Sequence, residues 1–141
     1  MTIPRLVIAG ISSNVGKTTV MVGLVRAFHV RAARAPCHNL DGWMMGREAV
    51  LSTFMHASQG ADIALLEGVM GLFDGALPTS DEGSTAEIAK WLQAPVLLVC
   101  DAGGMARSIA ALAKGFSTFD ADLQIAGLIC NRIGSRGHLD L

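Results

Sequence analysis

The sequence predicts an α/β domain, an open and mostly parallel sheet with helices on both faces. Three observations predict it. Short runs of Val, Ile, Leu and Ala alternate with longer stretches in which apolar residues recur at helical spacing. The short runs are apolar nearly throughout, as strands buried on both faces are. The first run also passes through a glycine-containing loop directly into a helical stripe.

Four strands are expected, over residues 5–9, 61–66, 95–100 and 124–130. Between them, helical stripes are carried by Val20, Leu24 and Phe28, then by Val50, Leu51, Phe54 and Met55. Ile88 with Leu92 follows, and Met105, Ile109, Leu112 and Phe116 complete the set. Met44, Met45 and Met55 are read as core filling. Residues 29–38 show neither strand alternation nor a buried run and are read as a loop or frayed helix end, with Arg31 and Arg34 on a solvated face. No repeat or linker divides the chain, so residues 1–141 are expected to form one domain.

Composition narrows the function classes. The 141 residues are 51% hydrophobic, 16% charged and 5% aromatic, which excludes disorder and calls for an aliphatic core. A net charge of -1 lacks the basic excess of a nucleic-acid or anionic-membrane binder, so any anion site must be local. Cys37, Cys100 and Cys130 have no metal-ligand spacing and fit a reducing compartment. The apolar run 6–11 is too short for a signal sequence or a membrane span, and a cytoplasmic protein is expected.

The first strand runs into Gly10-Ile-Ser-Ser-Asn-Val-Gly16-Lys17-Thr18-Thr19, and a helix follows at once. A bound phosphate needs successive backbone N–H groups, the positive end of a helix and a mobile cation, and this order supplies all three. The expected nucleotide cradle is Gly10, Ser12, Ser13, Asn14, Val15, Gly16, Lys17, Thr18 and Thr19. Lys17 would reach the β and γ phosphates, and the Thr18 hydroxyl would bind a bridging Mg²⁺. Five residues separate Gly10 from Gly16, one more than in the common pattern, which makes this a variant P-loop spacing.

In an open parallel sheet the ligand lies beyond the carboxyl ends of the strands. Glu67, Asp101 and Asn131 end the other three expected strands. Glu67 is the candidate Mg²⁺ ligand, followed by a glycine-rich loop to Asp74, which can return a second carboxylate to the same metal. Ser84 and Glu87 form a Ser-x-x-Glu capping box, and a substrate contact from Ser84 or Thr85 would be an addition to that role. Asp101 either orders the following helix turn or serves the site. Asn131 either contacts a base edge or belongs to turn chemistry.

Residues 6–19, Asn39-Leu-Asp-Gly-Trp-Met44, Glu67-Gly-Val-Met-Gly-Leu-Phe-Asp-Gly75, Gly83-Ser-Thr-Ala-Glu87, the stretch 101–108 and Ile129-Cys-Asn-Arg-Ile-Gly-Ser135 together resemble the N-terminal synthetase domain of the cobyrinic acid a,c-diamide synthase family. The wider resemblance is to dethiobiotin-synthetase-like P-loop enzymes, which share the variant spacing. The resemblance implies ATP- and Mg²⁺-dependent amidation of the a and c carboxylates of a corrinoid, cobyrinic or hydrogenobyrinic acid, in cobalamin biosynthesis. It further implies an acyl phosphate, Lys17 and Glu67 as catalytic residues, Thr18, Glu67 and Asp74 around the metal, and Asn131 in base recognition.

Two departures from the family are expected. Its members carry a strand and an acidic Asp-Tyr-Ile-Asp-Pro-like loop after the first helix, where this chain has only residues 29–38, and a lost strand would expose its neighbours. They also carry a C-terminal glutaminase domain that supplies ammonia, and none of the three cysteines here stands in a nucleophile-elbow context, so that domain or a separate glutaminase chain is the implied partner. Two alternatives remain open: an inactive or partner-dependent ATP-binding fragment, and a nucleotide-switched partition-type ATPase. The second type carries a signature lysine five residues before the P-loop lysine, where this chain has Ser12.

Overall fold

The computed structural model describes residues 3–28 and 37–139. Four strands, β1 (Arg5–Gly10), β2 (Ala64–Gly71), β3 (Val96–Asp101) and β4 (Ile125–Asn131), form one sheet in the order β2-β1-β3-β4. Every pairing is parallel. The helices are α1 (Lys17–Phe28), α2 (Gly42–Ala57), α3 (Thr85–Leu92), α4 (Ser108–Phe119) and the short α5 (Arg136–Leu139). Arg31 and Arg34 lie outside the described residues.

Side chains alternate across the two central strands and define two apolar layers. Val7, Ala9, Val96, Leu98 and Cys100 face one side, where Val50 and Phe54 of α2 and Ala86, Ile88, Ala89 and Leu92 of α3 close over them. Ile109 and Phe116 of α4 pack at the margin of this layer. Ile8 and Val99 face the other side, against Val15 and the α1 residues Val20, Met21 and Leu24. The expectation of strands buried on both faces holds for β1 and β3. The edge strands β2 and β4 are only half-buried, because each has a single neighbour among the described residues.

β2 departs from the sequence reading. It starts later than residue 61 and runs past Glu67 to Gly71, so Glu67 lies within the strand. Ile8 is opposite Glu67 while Gly10 is opposite Gly71, so three residues of β2 face the single Ala9 of β1. This bulge lifts Val69 and Met70 out of the ladder into solvent before Leu72 N–H returns to the Gly10 carbonyl at 2.8 Å. The glycines that suggested a loop serve the bulge.

The helix ends also carry news. Asp41 caps α2 by accepting from Met44 N–H at 2.9 Å, and Gly46 at φ 72° kinks that helix. Ser84 caps α3 by accepting from Glu87 N–H at 3.1 Å. The reciprocal arm of the expected box is shifted by one residue, since the Glu87 carboxylate accepts from Gly83 N–H at 2.9 Å. The helix expected to start near Met105 starts at Ser108, because Met105 N–H is turned onto the Ala102 carbonyl.

Candidate nucleotide site

All four strands point their carboxyl ends to one side, and each delivers a polar element there. β1 ends on Gly10 and opens the loop 11–16. Asp101 and Asn131 are the last residues of β3 and β4, and they are direct neighbours in the ladder.

The loop closes tightly. A Cβ on Gly10 would stand 2.6 Å from Val15 Cγ2 and 2.8 Å from the Ser12 carbonyl oxygen, so only glycine lets the chain turn back over the strand end. Gly16 has φ 97°, and a Cβ there would meet Asn131 Nδ2 at 2.3 Å. Asn14 also takes a left-handed backbone, at φ 61°. Alternation of left-handed and ordinary residues turns successive N–H groups to one side, which is the geometry of an anion nest. Val15 is buried beneath the loop at 2% exposure, while Ser12, Ser13 and Asn14 face solvent.

Lys17 opens α1. Only 6% of the residue is exposed, because the stem is folded under the loop and Nζ donates to the Ser12 carbonyl at 3.2 Å. A buried ammonium with one carbonyl partner has unused donors for an anion in the loop. Thr18 and Thr19 follow in the first turn of α1, whose N–H groups have no acceptor within the helix. The Thr18 hydroxyl donates to the Glu67 carboxylate, so the two residues expected to share a metal are in contact.

The other expected residues fall as follows. Asp74 is exposed and turned back on its own segment, accepting from Gly71 N–H at 3.0 Å. Among the described residues no group of three or more His, Cys, Asp and Glu side chains is arranged to hold a metal, so an ion here would need phosphate oxygens among its ligands. Ser84 is 1% exposed with its hydroxyl committed to the α3 cap, which leaves it no surface for a substrate. Thr85 is half-buried against Gly68 of β2. Asn131 donates its amide N–H to the Val15 carbonyl at 2.8 Å, so this donor holds the loop.

The sequence reading assigned no role to Arg132 and left a place in the site open for Asp101; the structure brings the two together there. Arg132 donates from Nη2 to the Asn14 carbonyl at 2.7 Å and from Nη1 to the Asp101 carboxylate. Asp101 uses its second oxygen to accept from Gly103 N–H at 2.9 Å. That backbone bond, with the Arg132 guanidinium beside it, holds the Asp101 carboxyl below the usual carboxylate range. The sequence signal was an Asn-Arg pair directly after a strand, which ordinary turn chemistry also explains.

A parallel sheet whose first strand turns through such a loop into a helix led by Lys-Thr-Thr defines a P-loop nucleotide-binding domain. The chain belongs to the family described as the CobQ/CobB/MinD/ParA nucleotide binding domain, whose model matches residues 6–141. It is similar to the cobyrinate a,c-diamide synthase of Syntrophotalea carbinolica, 52% identical over 161 aligned positions that take in 99% of this chain and 35% of that protein. The synthase of the same name from Leptospira interrogans is 48% identical over 160 positions, with the same two coverages. That of Methanococcus vannielii is 40% identical over 156 positions, covering 96% of this chain and 35% of that protein. The chain thus spans about a third of the length of these curated relatives. Alignments of 160 and 161 positions exceed the 141 residues of the chain, so those relatives carry residues within the matched span that it lacks.

Proposed function

We propose that this chain forms the ATP-binding synthetase part of a cobyrinate a,c-diamide synthase, with glutamine-derived ammonia delivered by a glutaminase domain or chain. The observation that carries the chemistry is the contact between the Thr18 hydroxyl and the Glu67 carboxylate at the mouth of the loop. The similarity to named synthases over 96–99% of the chain supports the choice of reaction.

A carboxylate is a poor electrophile. Its oxygen attacks the γ-phosphorus of ATP, the bond from that phosphorus to the bridging oxygen breaks, and ADP leaves an acyl phosphate. Ammonia then attacks the acyl carbon, phosphate departs with the bonding electrons, and a proton is lost to give the amide. Positioning and neutralisation of phosphate charge are the protein's main contributions. The N–H groups of the loop and of the first turn of α1 would bind the phosphates. Lys17, already beneath the loop, would set its charge against the transferred group. Thr18 and Glu67 would hold the Mg²⁺, which neutralises charge on the phosphates when bound. Asp74, one of whose oxygens accepts from Gly71 N–H, would join them through its other oxygen. The same reading makes the protein cytoplasmic; among the described residues no helix is long and apolar enough to cross a membrane.

The test is incubation of the purified chain with cobyrinic acid, MgATP and ammonium, with mass spectrometry of the corrinoid. Conversion of the a and c carboxylates to amides, with one ADP formed per amide, is the expected result. ADP formation indifferent to the corrinoid, with no amide, would contradict it.

A further inference from the structure

The loop that forms the nucleotide site is held from outside by two consecutive residues of the β4 terminus. Asn131 grips the Val15 carbonyl at 2.8 Å and Arg132 grips the Asn14 carbonyl at 2.7 Å. In a trans peptide the C=O of one residue and the N–H of the next lie antiparallel in one plane. Pinning the Asn14 and Val15 carbonyls towards β4 therefore turns the N–H groups of Val15 and Gly16 away from β4. Two side-chain bonds thus orient two successive donors of the cradle.

Arg132 is itself built to reach. It has a left-handed backbone at φ 59°, unusual for a residue with a side chain, which turns the chain at the strand end. Its guanidinium is anchored by Asp101, whose other oxygen is fixed by Gly103 N–H. The chain of contacts therefore runs from the β3–α4 turn through Asp101 and Arg132 to Asn14. The Arg132 and Asp101 side chains are 55% and 35% exposed, and ion pairs this exposed add little to folding stability. Stability does not account for the arrangement, whereas the loop conformation does.

We propose that Arg132, anchored by Asp101, is a positioning residue for nucleotide binding that sets the orientation of the Asn14–Val15 peptide and so aims the Val15 N–H at a phosphate. The inference rests on the nucleotide-binding reading above. Replacement of Arg132 removes the only side chain among the described residues that bonds the Asn14 carbonyl. The peptide is then free to turn, and the donor must be re-aimed at the expense of affinity. Lysine has one ammonium in place of a planar fork and cannot serve Asp101 and Asn14 with the same geometry.

The test compares Arg132→Met, Arg132→Lys, Asp101→Asn and the Asp101→Asn/Arg132→Met double variant, all as the full chain. The readouts are the MgATP dissociation constant, the thermal midpoint without nucleotide, and the Val15 amide resonance in nucleotide-free ¹⁵N-labelled protein. Arg132→Met is expected to weaken MgATP about tenfold, to move the Val15 amide and to leave the nucleotide-free midpoint nearly unchanged. Arg132→Lys should fall between Arg132→Met and the parent. Asp101→Asn should also weaken binding, and the double variant should be no worse than Arg132→Met, since both act through one path. An unmoved Val15 amide, an unchanged dissociation constant or strictly additive losses would overturn the proposal. A parent chain that binds no MgATP would refute the nucleotide reading instead, and the Val15 amide shift in the nucleotide-free variants would still judge the positioning role.

Discussion

The Thr18 hydroxyl donates a hydrogen bond to the Glu67 carboxylate, joining the first turn of α1 to a bulged edge strand across 49 positions of sequence. β2 carries Glu67 to this point because it stays in register with β1 as far as the Ile8–Glu67 pair and bulges only afterwards. The contact predicts that Glu67→Gln will keep its affinity for Mg²⁺-free ATP while its apparent Mg²⁺ affinity falls by roughly 10-fold or more, as for other groups that orient a metal site. Mg²⁺ titration of nucleotide binding measures this; an unchanged titration would remove Glu67 from the metal site.

Gly16 admits no side chain. Alanine there would combine a Cβ placed 2.3 Å from Asn131 Nδ2 with a backbone at φ 97°. Gly16→Ala is expected to destabilise the fold by about 1–3 kcal/mol, and to abolish measurable MgATP binding. Denaturant unfolding and a binding titration on the same sample read both effects. Asn131→Ala added to Gly16→Ala should relieve part of the instability without restoring binding, because the strained φ remains.

Lys90 on α3 bridges Asp81, in the loop before that helix, and Asp120, just past the end of α4, the latter at 2.7 Å. Bonds to the two carboxylates raise the Lys90 pKa above 10.5, and the Lys90 ammonium is the main cause that lowers Asp120 below 3.8. A raised ammonium pKa stabilises fully below the unfolded value and is lost as pH climbs through the folded one. A lowered carboxylate pKa stabilises above the unfolded value and is lost as pH falls through the folded one. The cluster's contribution should therefore be constant from about pH 5 to 9 and fade outside that window. Lys90→Met is expected to cost about 1 kcal/mol on the plateau, since the groups are part-exposed. Thermal melts across pH check both the size and the flatness.

Cys100 lies fully buried in β3, and burial, with Cys130 nearby, pushes its thiol up to about 11. Cys37 is exposed. At pH 8 a thiol reagent should label Cys37 in the native protein and reach Cys100 only on unfolding, because the thiolate is the reactive form. Peptide mapping after timed labelling decides it, and native labelling of Cys100 would contradict the packing of β3.

The strands most legible in the sequence were those with the plainest physics. β1, β3 and β4 are nearly continuous apolar runs, and all three fall within about a residue of the expected span. β2 differs from the expected span at both ends: it starts only at Ala64, and beyond Glu67 it continues to Gly71 through a bulge whose glycines have the composition of a loop. The tight turn from β1 into α1 was legible because Gly10 and Gly16 act locally in it. The burial of Lys17 was not, since it depends on how the loop folds over the strand end. Nor was the grip of Arg132 on Asn14, which are 118 positions apart and meet only because β4 ends beside β3 and the loop. Ser84 shows the opposite case: its capping pattern was readable, and the structure buries its hydroxyl at that cap.

The central claim is that the loop around Lys17 binds a nucleoside triphosphate, and the most direct measurement is the thermal midpoint of the full chain with and without MgATP, beside Lys17→Ala. At a ligand concentration about 100 times its dissociation constant the parent should gain roughly 2.7 kcal/mol of stability, seen as a clear upward shift, while Lys17→Ala, folded cooperatively, should show none. An equal shift in both proteins, or no shift in a parent that melts cooperatively, would contradict the claim.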